Sequence, residues 1–162
     1  MASNSLNATL GGYAVGRDAD TSSYKRMVME HFRRLDLGDK VVFAGARSDA
    51  PAILSQCDVQ LMTSRWEGFP NVVLEGMVLG VPVVSTEYSD IRHILPRPQQ
   101  VVASRRPEEL ARAIVEAWLD RDAIAAEQKR WVRAHASIEN VTRELERVYA
   151  SYLPPDAHAH AA

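Results

Sequence analysis

Short, almost purely apolar runs alternate with segments of helical period along this chain, and that alternation leaves few folds open. Residues 8–15, 41–44, 58–63, 81–85 and 100–103 read as strands. Strands that are apolar throughout are buried on both faces, the mark of a parallel sheet covered by helices. Between them Tyr24, Met27, Val28, His31, Phe32 and Leu35 recur at i, i+3, i+4 spacing, after cap candidates Thr21, Ser22 and Ser23 and before Gly38. Residues 51–56, 72–79 and 90–95 read as further helices. From Pro107 the chain is helical, opening on a proline with Glu108 and Glu109 near the positive end of the dipole. Strand–helix–strand order with short connections predicts an α/β fold, a Rossmann-like parallel sheet flanked by helices on both faces. Such a sheet binds its ligand outside the carboxyl ends of the strands. Four loops are therefore candidates: residues 16–18, 45–49, 64–71 and 86–90.

Composition excludes several classes. The chain has 162 residues, 46% apolar and 25% charged, with 19 basic against 21 acidic side chains for a net −2. That supports one core and lacks the basic excess of a nucleic-acid binder. No apolar run approaches the roughly 20 residues of a spanning helix, and MASNSLNATL lacks the charged-then-apolar order of a secretory signal. A lone cysteine, Cys57, excludes an internal disulfide and fits a reducing, cytoplasmic setting. Residues 1–7 and 154–162 are expected to be disordered, leaving 8–153 as the folded domain. His158 and His160, two histidines in an Ala-rich tail, are too few for a metal site.

The third loop is the richest in chemistry. Arg65, Trp66 and Glu67 stand at a strand end, then Gly68, then a helix that Asn71 would cap with Pro70 before it. The first-turn N–H groups around Val72 and Val73 would have no intrahelical partner and, with the dipole, would suit a phosphate. Glu75, one turn in, is an acceptor-only group able to take two hydroxyls of a cis-diol such as a ribose. Gly76 would let the next strand pack close, and Gly80 would end the helix. Each residue also has a plain structural reading: Glu67 as a solvated loop acid, Glu75 as a dipole partner, Trp66 as a half-buried packing residue.

The ordered string from Glu67 through Glu75 to Val84 (EGFPNVVLEGMVLGVPVV) closely resembles the E-x7-E signature of retaining GT-B glycosyltransferases, glycosyl transferases group 1. Residues 57–65 resemble the family's strand leading into that motif, residues 80–85 the strand after it, and residues 41–45 the strand before a base-contacting loop. The resemblance covers about residues 8–153. It implies the donor-binding, C-terminal half of such an enzyme, transferring a sugar from a nucleoside diphosphate with no metal or other cofactor. Glu75 would then bind the ribose, the backbone at Asn71 and Val72 the diphosphate, and Glu67, the catalytic candidate, would face the sugar with the Gly68–Phe69 backbone. Gly45, Ala46 and Arg47 would lie against the base.

The sequence departs from the family in places. The family's donor domain begins with a strand and helix bearing an arginine and a lysine that clamp the diphosphate. This sequence starts after them, and neither Arg17 nor Lys25 fits that role. The chain is therefore expected to be a C-terminal piece, inactive alone, whose longer protein assembles cell-envelope polysaccharide at the inner face of the membrane. Pro70 stands where many relatives have glycine, which excludes an N–H contact there. Residues 87–93 (EYSDIRH) replace paired glycines and a glutamate, and His93 among them reads as a structural histidine. In relatives the last helix crosses back to the acceptor domain. Its stripe of Ile138, Val141, Leu145, Val148, Tyr149 and Tyr152 would either meet such a partner or pack on its own sheet. The rival readings are a nucleotide-sugar epimerase of the same fold and a non-catalytic nucleotide-sugar-binding module. A phosphorylase would need a cofactor-bearing lysine, and Lys25, Lys40 and Lys129 all lie away from the motif.

Overall fold

A computed structural model describes residues 11–15, 23–38 and 40–152. The loop 16–18, residues 1–7, the cap candidates Thr21 and Ser22 and the histidine tail lie outside these. The chain divides into two compact units, Met1–Ala50 and Pro51–Ala162.

In the first unit β1 (Gly12–Val15) pairs in parallel with β2 (Val41–Gly45), and α1 (Ser23–Arg34) connects them. The register slips between Ala14 and Val15, so that Val15 meets Gly45 rather than Ala44. Phe32 of α1 meets Phe43 of β2 edge to face, with ring centroids 5.2 Å apart. Of the predicted stripe on α1, Val28 and Phe32 are half-buried while Met27, His31 and Leu35 are exposed. α2 (Ala50–Leu54) starts at the last residue of the first unit and otherwise belongs to the second.

The second unit holds β3 (Gln60–Met62), α3 (Asn71–Leu79), β4 (Val83–Thr86), α4 (Ile91–Ile94), a 3-10 turn at Pro98–Gln100, and β5 (Val101–Val102). Three helices follow: α5 (Pro107–Leu119), α6 (Arg121–His135) and α7 (Ile138–Tyr152). Its strands are parallel in the order β3-β4-β5. The parallel, helix-flanked strands expected from sequence are present, in two ladders, β1-β2 and β3-β4-β5. β4 is shorter than its apolar run: Val81 and Pro82 are buried ahead of it, and the Pro82 carbonyl accepts from the Gln60 N–H of β3 at 2.8 Å.

Alternation along the strands builds two cores, one on each face. Val83 and Val101 pack with Val73 and Met77 of α3, Ile91 and Ile94 of α4, and Trp131 and Val132 of α6. Val84 and Val102 pack with Ala113 and Ala117 of α5 and Ile124 of α6. Met77 and Ile91 are fully buried, and each contributes on the order of 1.5–3 kcal/mol. Helix α6 therefore begins against one face and ends against the other. Between these contacts its Gln128, fully buried, accepts from the Val83 N–H at 3.1 Å and donates to the Val81 carbonyl at 3.1 Å. Gln100 completes the pair, donating to the Val83 carbonyl at 2.7 Å and to Gln128 Oε1 at 2.9 Å. The amino end of β4 thus finds in side-chain amides the partners its backbone needs.

Candidate functional site

The loop after β3 and the first turns of α3 stand at the carboxyl end of the second unit's ladder. Helix α3 starts at Asn71, with Pro70, not Asn71, in the cap position. The buried Pro70 carbonyl accepts from the Val73 N–H at 2.9 Å and the Leu74 N–H at 3.4 Å, so the helical ladder is anchored one residue earlier than the sequence suggested. No side chain caps this end. The Asn71 N–H donates to the Phe69 carbonyl at 3.0 Å. Among the first-turn donors that leaves the Val72 N–H without a backbone acceptor among the described residues, narrower than the anticipated Asn71–Val73 set.

Glu75 is exposed, three residues after Val72 and so on the same side of α3. The underside of that turn is held from β3. Gln60, 8% exposed, donates from Nε2 to the Val72 carbonyl at 2.9 Å. A Cβ on Gly76 would stand 1.8 Å from Gln60 Oε1, so the close approach requires glycine. The other end stops at Gly80, φ +83°, whose N–H and that of Val81 donate to the Met77 and Gly76 carbonyls. Gly80 therefore ends the helix in a left-handed cap, as its sequence position predicted.

Glu67 is exposed and accepts from Ser64 Oγ at 2.6 Å. Thr86 Oγ1 at the end of β4 donates to the Ser64 carbonyl at 2.9 Å and ties this loop to the next. Gly68 is exposed, with open space around the position of a Cβ. Phe69 and Trp66 are 61% and 89% exposed, so Trp66 is not the half-buried packing residue that was one reading of it. Arg65 is exposed and has no carboxylate partner among the described residues. In the following loop Arg92 forks onto both Glu87 oxygens at 2.5 and 2.9 Å, which holds the Glu87 carboxyl below its usual range. Ser89 takes φ +36°, a conformation glycine adopts more easily. His93 is exposed on α4, and its ring makes no hydrogen bond among the described residues.

In the first unit Gly45 closes β2 at φ +65°, and Ala46 and Arg47 follow, exposed. Nε and Nη2 of Arg47 each donate to an Asp49 carboxylate oxygen at 2.7 Å. This fork holds the Asp49 carboxyl below the usual range and keeps Arg47 firmly charged.

Sequence reasoning missed Ser64, Thr86 and Gln60. A glutamine inside an apolar strand run was the one visible signal, since such an amide must find buried partners.

A parallel sheet between helices, carrying a loop-to-helix turn at its carboxyl end, defines an α/β protein of Rossmann-like architecture. More particularly, the chain belongs to the glycosyl transferases group 1 family, whose sequence pattern matches residues 11–120. It is 25% identical over 126 residues to the Vi polysaccharide biosynthesis protein VipC/TviE of Salmonella typhi, covering 73% of this chain and 22% of that protein. It is 24% identical to the lipopolysaccharide core biosynthesis mannosyltransferase LpsB of Rhizobium meliloti, over 81% of this chain and 39% of the relative. The fold matches Anabaena Alr3699/HepE, solved in complex with UDP, at a TM-score of 0.76 and 22% identity, over 88% of this chain and 41% of that one. The chain therefore spans less than half the length of these proteins, consistent with one half of a GT-B fold. Among the described residues no helix is long and apolar enough to cross a membrane.

Proposed function

We propose that this chain is the donor-binding half of a retaining glycosyltransferase and holds a nucleoside-diphosphate sugar at the carboxyl end of β3. The observation that carries this reading is the coincidence, on one side of α3, of the open Val72 N–H and the exposed Glu75. The N–H and the helix dipole would receive the diphosphate. Glu75 would accept the ribose hydroxyls, and Glu67, already oriented by Ser64, would face the sugar. Breaking the glycosidic bond builds negative charge on the leaving diphosphate, and the helix amino terminus and Arg65 would offset it without a metal. A base-contacting role for Gly45, Ala46 and Arg47 is a separate proposal that rests on the first unit's own loop. Saccharide assembly is supported by what the relatives' names say of them.

Calorimetric titration of the chain with UDP, GDP and ADP tests the reading. One nucleotide should bind, and Glu75→Gln should weaken it about tenfold or more, since a charge-assisted hydrogen bond is lost. Binding by none of the three, or binding indifferent to Glu75→Gln, would overturn it.

We further propose that α7 meets an acceptor domain of the longer protein. Val141 is 42% exposed, Leu145 51%, Val148 53% and Tyr152 84%, so the stripe is uncovered rather than packed on its own sheet. A separately expressed acceptor domain should co-sediment with the wild-type chain. Leu145→Glu with Val148→Glu should abolish that association while leaving the thermal midpoint of the chain unchanged, because neither residue is buried. Association that survives the double substitution would count against α7 as the surface used.

A further inference from the structure

Tyr88 carries a polar group that the fold leaves unpaired. Its ring belongs to the core with Val73, Met77 and Ile91, and the residue is 5% exposed. Yet its hydroxyl has no hydrogen-bond partner among the described residues. Phenylalanine would occupy the same space without the penalty of a buried, unsatisfied hydroxyl, so the oxygen calls for an explanation.

Its surroundings offer one. Burial pushes the phenol pKa up, the neighbouring Ser85 hydroxyl opposes that rise, and the negative charge of Glu67 adds to it. Ser85 Oγ already donates to the Thr86 carbonyl at 2.8 Å. Glu67 receives Ser64 on Oε1, and its other oxygen has no partner among the described residues. The Thr86–Ser64 hydrogen bond at 2.9 Å holds together the two loops on which Tyr88 and Glu67 stand. An orphaned buried donor and a half-satisfied acceptor therefore stand on two loops that one hydrogen bond ties together at the carboxyl end of the ladder.

We propose that Tyr88 is a positioning residue for Glu67: in the donor-bound state its phenol donates to the carboxylate oxygen that Ser64 leaves open. Two hydroxyls, one on each oxygen, then set the plane of the carboxylate toward the sugar. This rests on the donor-site reading, and it concerns the sugar alone, not the nucleotide. A Tyr88→Phe chain should fold at least as well as the wild type, because the hydroxyl it loses is unpartnered.

The first test needs no ligand. Ring-carbon NMR of the five tyrosines is followed through alkaline titration in the wild type and in Glu67→Gln, with Tyr88→Phe identifying the Tyr88 signal. Tyr88 should titrate at lower pH in Glu67→Gln, and an unchanged midpoint would overturn the proposal. The second test compares UDP-glucose with UDP, or the same pair for whichever base the chain prefers. Tyr88→Phe should weaken the sugar nucleotide about three- to tenfold and leave the free diphosphate unaffected. Equal weakening of both, or of neither, would overturn the proposal. Failure of the wild-type chain to bind either form would instead sink the donor reading, while the phenol titration still decides whether Tyr88 addresses Glu67.

Discussion

At Gly76 the space that any other residue would fill belongs to Gln60, whose Oε1 stands 1.8 Å from the position of a Cβ while Val83 Cγ2 stands 3.4 Å away. The amide cannot simply swing aside, because its nitrogen is bound to the Val72 carbonyl and the residue is buried. Gly76→Ala should therefore destabilise the chain by about 1–3 kcal/mol, the usual cost of overpacking a closed core. Urea denaturation checks this. Adding Gln60→Ala should recover part of the loss, since the two residues are in contact and their effects are not additive. The same contact supports the turn that bears Val72 and Glu75, so nucleotide affinity should fall together with stability. In sequence this glycine, three residues after Asn-Val-Val, is read as room for the next strand to pack close. Its reason is a side chain 16 positions away, which no local pattern reports.

Among the elements, α6 does the most to join the second unit. Beyond Gln128, it carries Glu127, which receives Arg97 on both oxygens at 2.6 and 2.8 Å, while the same guanidinium also reaches Asp120 at the α5–α6 junction. The Arg97 side chain is 20% exposed and that of Glu127 31%. The Arg97 fork holds the Glu127 carboxyl below the usual glutamate range, with desolvation opposing it. A depressed folded pKa gives stability that is fully present above the unfolded value, near 4.3, and lost as pH falls through the folded one. Glu127→Gln should accordingly flatten the decline of stability below about pH 5, read as the thermal midpoint against pH. A variant whose acid limb matched the wild type would show that this pair contributes nothing. The helical continuity expected after Pro107 is broken here and again near Ala136, giving three helices where periodicity gave one helical stretch.

For the molecule as a whole, the distribution of buried residues is uneven. Every fully buried apolar side chain among the described residues lies in the second unit, in one of its two cores. The first unit, Met1–Ala50, has none among its described residues, and chains that short rarely fold without a core or a staple. Residues 51–162 expressed alone should keep cooperative thermal unfolding and their circular dichroism, while residues 1–50 alone should give a coil spectrum. Non-cooperative unfolding of the longer piece would contradict this.

The α/β class, the parallel strands and the position of the candidate loop at a strand's carboxyl end were legible from the chain alone, because apolar runs and helical periods are local and repeat. So were the glycine stop of α3 and the apolar stripe on α7, though not that the stripe is exposed. The helix cap at Pro70, the division of the strands into two ladders, the partners of Gln60, Gln100 and Gln128, and the lack of one for the Tyr88 hydroxyl among the described residues were not. A carbonyl chooses among donors, and a buried amide among acceptors, only when distant segments meet. Those choices depend on distances of a few tenths of an ångström between residues up to 47 positions apart. Periodicity along the chain sets which side of an element is buried; packing between elements decides which polar atoms are paired there and which, like the Tyr88 hydroxyl, are left over.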